Sequence, residues 1–285
     1  MLDAIAETLP PEWKVSFPEL IAETVTSRIV KVRLESGEAA VIKHLTPLGM
    51  REELGGGTHY LEWHRGNGCI RLLAQSDNNL LLEFAGARTL LDHLNEHGDD
   101  AATQIFVGVF LRLLETKQAS LPGPPDLIPL RTMFASLFKK AGTDPKRGVQ
   151  SQFVEAAKLV DALLNDQHDV QPLHGDLHHE NVLYGERGWL VIDPKGLIGD
   201  PTYDAANMFY NPLNRDDLRA CESRIASMAQ TFSQAFNRDI KTILGFGMAH
   251  ACLSASWHDE DENYDESARS LGVAAAIRKV LDTIG

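Results

Sequence analysis

The chain of 285 residues is poor in cysteine, in net positive charge and in long apolar runs, and each shortage removes a class of function. Its three cysteines, Cys69, Cys221 and Cys252, stand far apart, with no Cys-x-x-Cys pair. That spacing argues against a structural zinc site and a disulfide framework, and for a reducing compartment. Lys and Arg number 27 against 40 Asp and Glu, a formal charge of −13. Phosphate backbones need clustered bases, so no nucleic-acid partner is expected. The same acidity suits solubility and a cationic small molecule. No apolar run approaches the ~20 residues of a membrane span, so no membrane partner is expected. The opening residues Met1-Leu2-Asp3-Ala4-Ile5-Ala6-Glu7 carry acids where a signal peptide carries bases. The expectation is a cytoplasmic protein, with a monomer favoured.

What is present reads as an ordinary globular chain, 44% hydrophobic and 24% charged, which argues against disorder. Arg28 to Leu34 alternates apolar and polar residues, the period of a half-buried strand. Glu35-Ser36-Gly37-Glu38 is a turn, and Ala39 to Lys43 completes a hairpin. A helix is expected near residues 50–66, although Gly55-Gly56-Gly57 weakens it. Ile70–Ala74 and Leu80–Phe84 flank Asp77-Asn78-Asn79 as a second hairpin. Beyond Ala85-Gly86 helical spacing takes over near 89–97, 101–117 and 149–166, with Pro122, Pro124 and Pro125 breaking the path between helices. A strand-rich island at 171–193 precedes a helical remainder.

The chemistry concentrates in that island. His174-Gly175-Asp176-Leu177-His178-His179-Glu180-Asn181 is a polar loop between apolar strands, and Gly188-Trp189-Leu190-Val191-Ile192-Asp193 follows after one turn. A hairpin here delivers Asp176, Asn181 and Asp193 to one place. Phosphoryl transfer uses this set: one carboxylate orients the attacking hydroxyl, while an amide and a second carboxylate hold magnesium on the nucleotide phosphates. Asp, four residues, Asn, then a second Asp is the order of the kinase catalytic loop, with Gly175 where protein kinases carry Arg. A transition-metal site built from His174, Asp176, His178, His179 and Glu180 is the rival reading. Its spacing matches no zinc helix.

Residues 173–212 resemble the aminoglycoside phosphotransferase and choline kinase superfamily. Within it, Arg187 to Pro194 and Ala205-Ala206-Asn207-Met208-Phe209-Tyr210 are similar to the aminoglycoside/hydroxyurea resistance kinases, and the likeness extends to His59-Tyr60-Leu61 and Arg71-Leu72-Leu73. The resemblance implies an α+β, bilobal, protein-kinase-like fold. Residues 1–85 are then a small antiparallel β-rich nucleotide lobe and 86–285 a larger, mainly helical catalytic and acceptor lobe. It implies ATP with Mg2+ and a cationic aminoglycoside acceptor, with the 6-hydroxyl of streptomycin the expected target and hydroxyurea, a sugar or an endogenous metabolite the alternatives. Carried over by position, Asp176 is the catalytic carboxylate, Asn181 and Asp193 the magnesium ligands, and His174 a support for the loop. A non-catalytic nucleotide-binding module is a further alternative, opposed by the intact set of polar residues.

On the nucleotide side, Lys43 ends the strand Ala40-Val41-Ile42 and is the expected phosphate cation, with Glu53 preferred over Glu52 or Glu62 as its partner. No Gly-x-Gly-x-x-Gly precedes it; the turn Thr24 to Arg28 is expected to cover the phosphates. Glu83 and Ala85 belong to the connector expected at the adenine edge. Pro194 stiffens the turn after Asp193. Lys195 is read as a cation for the transferred phosphate, a partner of a nearby carboxylate, or a solvated lysine. On the acceptor side, Asp200 is a helix cap or a substrate contact, and Asp204 a brace for the loop. Six acids lie between 259 and 266, just after Trp257. Trp257 and Asp259 are the expected substrate contacts, because carboxylates and aromatic faces bind guanidinium groups.

Overall fold

The computed structural model describes residues 5–52, 54–116, 127–144 and 151–284. Glu53 and the prolines Pro122, Pro124 and Pro125 lie outside the described residues. Strands β1 (Ser16–Glu23), β2 (Ser27–Arg33), β3 (Ala39–Leu45), β4 (Leu72–Ser76) and β5 (Asn79–Glu83) form an antiparallel sheet ordered β1-β2-β3-β5-β4. Alternation in β2 and β3 gives the sheet two faces. Val30, Val32, Ala40, Ile42 and Leu81 are buried with Ile5 on one. Ile29, Val41 and Lys43 face the cleft. β1 was not anticipated. All eight of its residues are exposed, so neither face imposes an apolar period.

Between β3 and β4 the expected single helix is two, α1 (Pro47–Glu52) and α2 (Leu54–His64). The glycine run that weakens α2 by propensity has a packing reason. A Cβ at Gly56 would come within 2.2 Å of the Lys195 carbonyl oxygen, and one at Gly57 within 2.5 Å of that of Pro194. The helix therefore lies backbone to backbone on the 193–196 loop.

After Phe84–Gly86 the chain is mainly helical. Strand β6 (Arg88–Thr89) leads into α3 (Leu90–His97), opened by a capping box in which Asp92 N–H donates to Thr89 Oγ1 and Thr89 N–H donates to Asp92 Oδ2. Then come α4 (Asp99–Leu114), β7 (Ile128–Pro129), α5 (Leu130–Met133), α6 (Ala135–Thr143) and α7 (Gln152–Asn165). Strands β8 (Gln171–Leu173), β9 (Val182–Gly185) and β10 (Gly188–Val191) fall in the predicted island; β11 (Leu197–Gly199) lies beyond it, and with β6 and β7 they make two small sheets, β10-β9-β6 and β7-β11-β8. Helices α8 (Ala206–Tyr210), α9 (Asp216–Arg219), α10 (Glu222–Phe236), α11 (Ile240–Glu260) and α12 (Tyr264–Ile284) complete the chain. Every residue from Ile243 to Ser256 is buried, so α11 is the axis of the helical part. An antiparallel β-sheet followed by a mainly helical body is the α+β architecture expected. Among the described residues no helix is long and apolar enough to cross a membrane.

Candidate active site

The β8–β9 loop owes its shape to one buried carboxylate. Asp204 Oδ2 accepts the His174 N–H and Oδ1 accepts the Gly175 N–H, both at 2.8 Å. Gly175 has φ 81°, and a Cβ there would meet Leu197 at 2.9 Å, so glycine is required where protein kinases carry Arg. Burial pushes the Asp204 carboxyl up to about 7, against the pull of the two N–H donors. His174 is fully buried. Its Nε2–H donates to the Ile192 carbonyl at 2.8 Å, which ties the loop to β10, and Nδ1 accepts the Asp176 N–H at 3.3 Å. Burial lowers His174 to about 4, so the ring is neutral and its role is support.

That bracing presents three side chains at one mouth. Asp176 Oδ1 accepts from Asn207 Nδ2 at 3.0 Å, and Oδ2 lies 3.5 Å from Lys195 Nζ. Burial raises the Asp176 carboxyl, but Lys195 and the neighbouring imidazoles outweigh it and hold it below its ordinary value. It is an ionised acceptor. Asn181 Nδ2 donates to the Asp176 carbonyl at 2.9 Å, which leaves the amide oxygen as a hard ligand. Asp193 adopts φ 60°, rare for an L-residue, immediately before Pro194. Its carboxylate pairs with the ammonium of Lys43, a buried side chain from the opposite sheet. The backbone turn is pinned by Lys195 N–H donating to the His174 carbonyl at 2.8 Å.

Lys43 and Asp193 close one end of a cavity of about 160 Å³ lined by Ile21, Ile29, Val41, Leu82, Leu183 and Ile192, with Glu83 and Ala85 along the connector. Its apolar walls and charged end suit a planar base attached to a polyanion. The Glu83 side chain takes another part. It accepts two bonds from Arg187, each 2.6 Å, and one from the Arg71 N–H at 3.0 Å. Arg187 also donates to the Gly66 and Cys69 carbonyls at 2.9 and 3.0 Å. The carboxylate thus clamps the connector to the β9–β10 turn and is not available to a ligand.

The acceptor-side residues divide. Trp257 reaches the site: Lys195 Nζ lies 5.8 Å from its ring centroid. Asp200 is 2% exposed, and its carboxylate is taken up by the Thr202 and His168 N–H groups at 2.9 and 3.1 Å. It is the helix cap of the two roles considered. Asp259 pairs with Lys140 and bonds Ser267; burial raises its carboxyl, and these partners bring it below the ordinary value. Glu266 is held by Arg219 and Arg269. Asp259 and Glu266 therefore brace neighbouring helices, while Asp261, Glu262 and Asp265 are exposed. Among the described residues no group of three or more His, Cys, Asp or Glu is placed to hold a metal. Asn207 escaped sequence reasoning. Its one signal was an amide in the otherwise small and apolar stretch after Asp204.

A sheet-plus-helix body with paired oxygen donors facing a buried lysine is the arrangement of a protein-kinase-like fold. The fold matches that of a thermostable mutant of aminoglycoside phosphotransferase APH(4)-Ia in complex with ADP and hygromycin B, with TM-score 0.64, 15% identity, and 96% of this chain and 98% of that one covered. Residues 12–262 match the model of the aminoglycoside/hydroxyurea antibiotic resistance kinases, and the chain belongs to that family. It is 36% identical over 237 residues to a streptomycin 3''-kinase of Klebsiella pneumoniae, covering 79% of this chain and 84% of that protein. It is 27% identical over 289 residues to a streptomycin 6-kinase of Streptomyces griseus, covering 98% and 90%.

Proposed function

We propose that the protein transfers the γ-phosphoryl group of ATP to a hydroxyl of streptomycin and so inactivates the antibiotic. The observation that carries this reading is Asp176: an ionised carboxylate whose Oδ2 faces the ammonium of Lys195, on the same loop as Asn181, with Asp193 paired to Lys43 at the end of the next hairpin. We take residues 1–85 as the nucleotide lobe and 86–285 as the catalytic lobe. Asp176 Oδ2 accepts the hydrogen bond of the acceptor hydroxyl, orients its lone pair along the line of attack and receives its proton. Lys43 neutralises the α- and β-phosphates, and the apolar walls take the base. Asn181 Oδ1 and the Asp193 carboxylate would hold Mg2+, a hard cation that takes oxygen donors and needs few of them from protein. When bound, the metal supplies charge neutralisation at the transferring group. Trp257 offers its face to a guanidinium of the acceptor, worth about 0.5–2 kcal/mol.

The 6-hydroxyl is the target proposed first, on the motifs of residues 173–212 and on the near-complete overlap with 6-kinases. The higher identity to a 3''-kinase favours the 3''-hydroxyl as the second reading. Incubating the enzyme with Mg·ATP and streptomycin, and assigning the product by phosphorus–proton NMR, separates the two. Transfer to hydroxyurea or a sugar but not to streptomycin refutes the acceptor. Asp176→Asn is expected to lose roughly 10²–10⁴-fold in kcat with its melting temperature and ADP affinity kept; a variant at near wild-type turnover removes Asp176 from the reaction.

A further inference from the structure

The two oxygens of Asp176 have different neighbours. Oδ1 is taken by Asn207, while Oδ2 faces the ammonium of Lys195 at 3.5 Å. The same ammonium lies 5.8 Å from the centroid of the Trp257 ring. A carboxylate on one side and an aromatic face on the other are the contacts a guanidinium or ammonium group of a polycation takes. Lys195 therefore stands where the acceptor must stand.

The backbone of Lys195 does not move easily. Its N–H donates to the His174 carbonyl, and its own carbonyl is packed against Gly56. The side chain is 42% exposed, on a flexible four-carbon stem. A hydroxyl hydrogen-bonded to Oδ2 attacks a phosphorus about 3–3.5 Å away. That phosphoryl group is then within reach of a lysine already beside Oδ2.

We propose that Lys195 is a positioning cation that alternates between two sites. Without nucleotide it fills the cation subsite between Asp176 and Trp257. With nucleotide it turns to the γ-phosphate and vacates that subsite for the acceptor. With Oδ1 of Asp176 taken by Asn207, Lys195 and an acceptor cation compete for Oδ2, so nucleotide tightens acceptor binding, and by linkage acceptor tightens nucleotide binding by the same factor. The acceptor half rests on the streptomycin reading above; the nucleotide half does not.

Lys195→Met keeps the stem and removes the charge, with Lys195→Gln as a second uncharged variant. Calorimetric titration with Mg·AMP-PNP and Mg·ADP is decisive. Both variants are expected to lose roughly tenfold in AMP-PNP affinity and to keep ADP affinity, a coupling within the usual range, and Lys195→Arg restores the preference. A ratio of the two affinities equal to that of wild type overturns the proposal. In the second arm streptomycin is titrated with and without Mg·AMP-PNP. Wild type tightens by roughly tenfold. Lys195→Met binds at the tight level in both states, a gain of affinity that general damage does not produce. Equal nucleotide coupling in wild type and variant overturns the exchange. Failure of wild type to bind streptomycin in either state counts against the acceptor, and the nucleotide arm then still decides the role of Lys195.

Discussion

At the scale of single residues, the site depends on which carboxylates are free and which are consumed. Asp176, Asp200, Asp204 and Asp259 are chemically alike in the sequence. In the structure Asp204 gives both oxygens to backbone N–H groups, Asp200 caps a turn and Asp259 answers Lys140. Only burial and partner geometry separate them, so the motif was legible and the acceptor contacts were not. Asp204→Asn is the sharpest test of the brace. An amide has one acceptor oxygen, so one of the two N–H donors would meet an NH2 group. Turnover is expected to fall about 10²-fold through displacement of Asp176, a size typical of ångström-scale misplacement. The pH dependence has a definite sign. Because burial raises Asp204 from 3.8 to about 7, its ionisation costs the folded state stability as pH climbs between those values. The variant does not titrate there, so urea unfolding should show it gaining on wild type from pH 4 to 8. Parallel pH curves would remove the raised carboxyl.

At the scale of elements, β2 and β3 were readable because alternate residues are buried and the sequence carries the matching period, and β5 because its apolar run is bounded by turn residues. β1 lacks a buried face, and α2 breaks its propensity for the sake of contact with the 193–196 loop. Gly56→Ala tests that contact. A helix propensity gain of about 1 kcal/mol is set against a Cβ placed 2.2 Å from a carbonyl oxygen that cannot be repacked like a side chain. The loop or the helix must shift, so activity is expected to drop tenfold or more while helix content is retained. Arg187 is the second element-level device. Removing it in Arg187→Met leaves Glu83 and two carbonyls without their donor, and the expected loss is about 2 kcal/mol, roughly 4–8 °C in Tm. Burial raises the Glu83 carboxyl, but Arg187 outweighs it and the net value is lowered. Stability from the clamp is thus present above pH 4.5 and is lost as pH falls through the lowered folded value. The gap between wild type and Arg187→Met should narrow on acidification; a gap independent of pH would show that the carbonyl bonds, not the ion pair, carry the clamp.

At the scale of the whole molecule, charge makes the two substrates unlike. On the function proposed above, a net charge of −13 attracts a polycation and repels Mg·ATP, while Lys43 and Lys195 offset that repulsion at the site. Salt screens fields over about 8–10 Å and leaves short contacts largely intact. Raising ionic strength from low to physiological values should therefore lower kcat/KM for streptomycin by slowing its capture, while kcat changes little. For Mg·ATP the long-range term has the opposite sign, so its kcat/KM should hold or rise over the same range. The two slopes are measured in one set of assays by varying each substrate at saturation of the other. Parallel declines would mean that salt acts on the fold or the metal rather than on steering. A flat response for streptomycin would show that its capture is governed by local contacts such as Trp257 and Asp176, with the acidic exterior contributing to solubility alone.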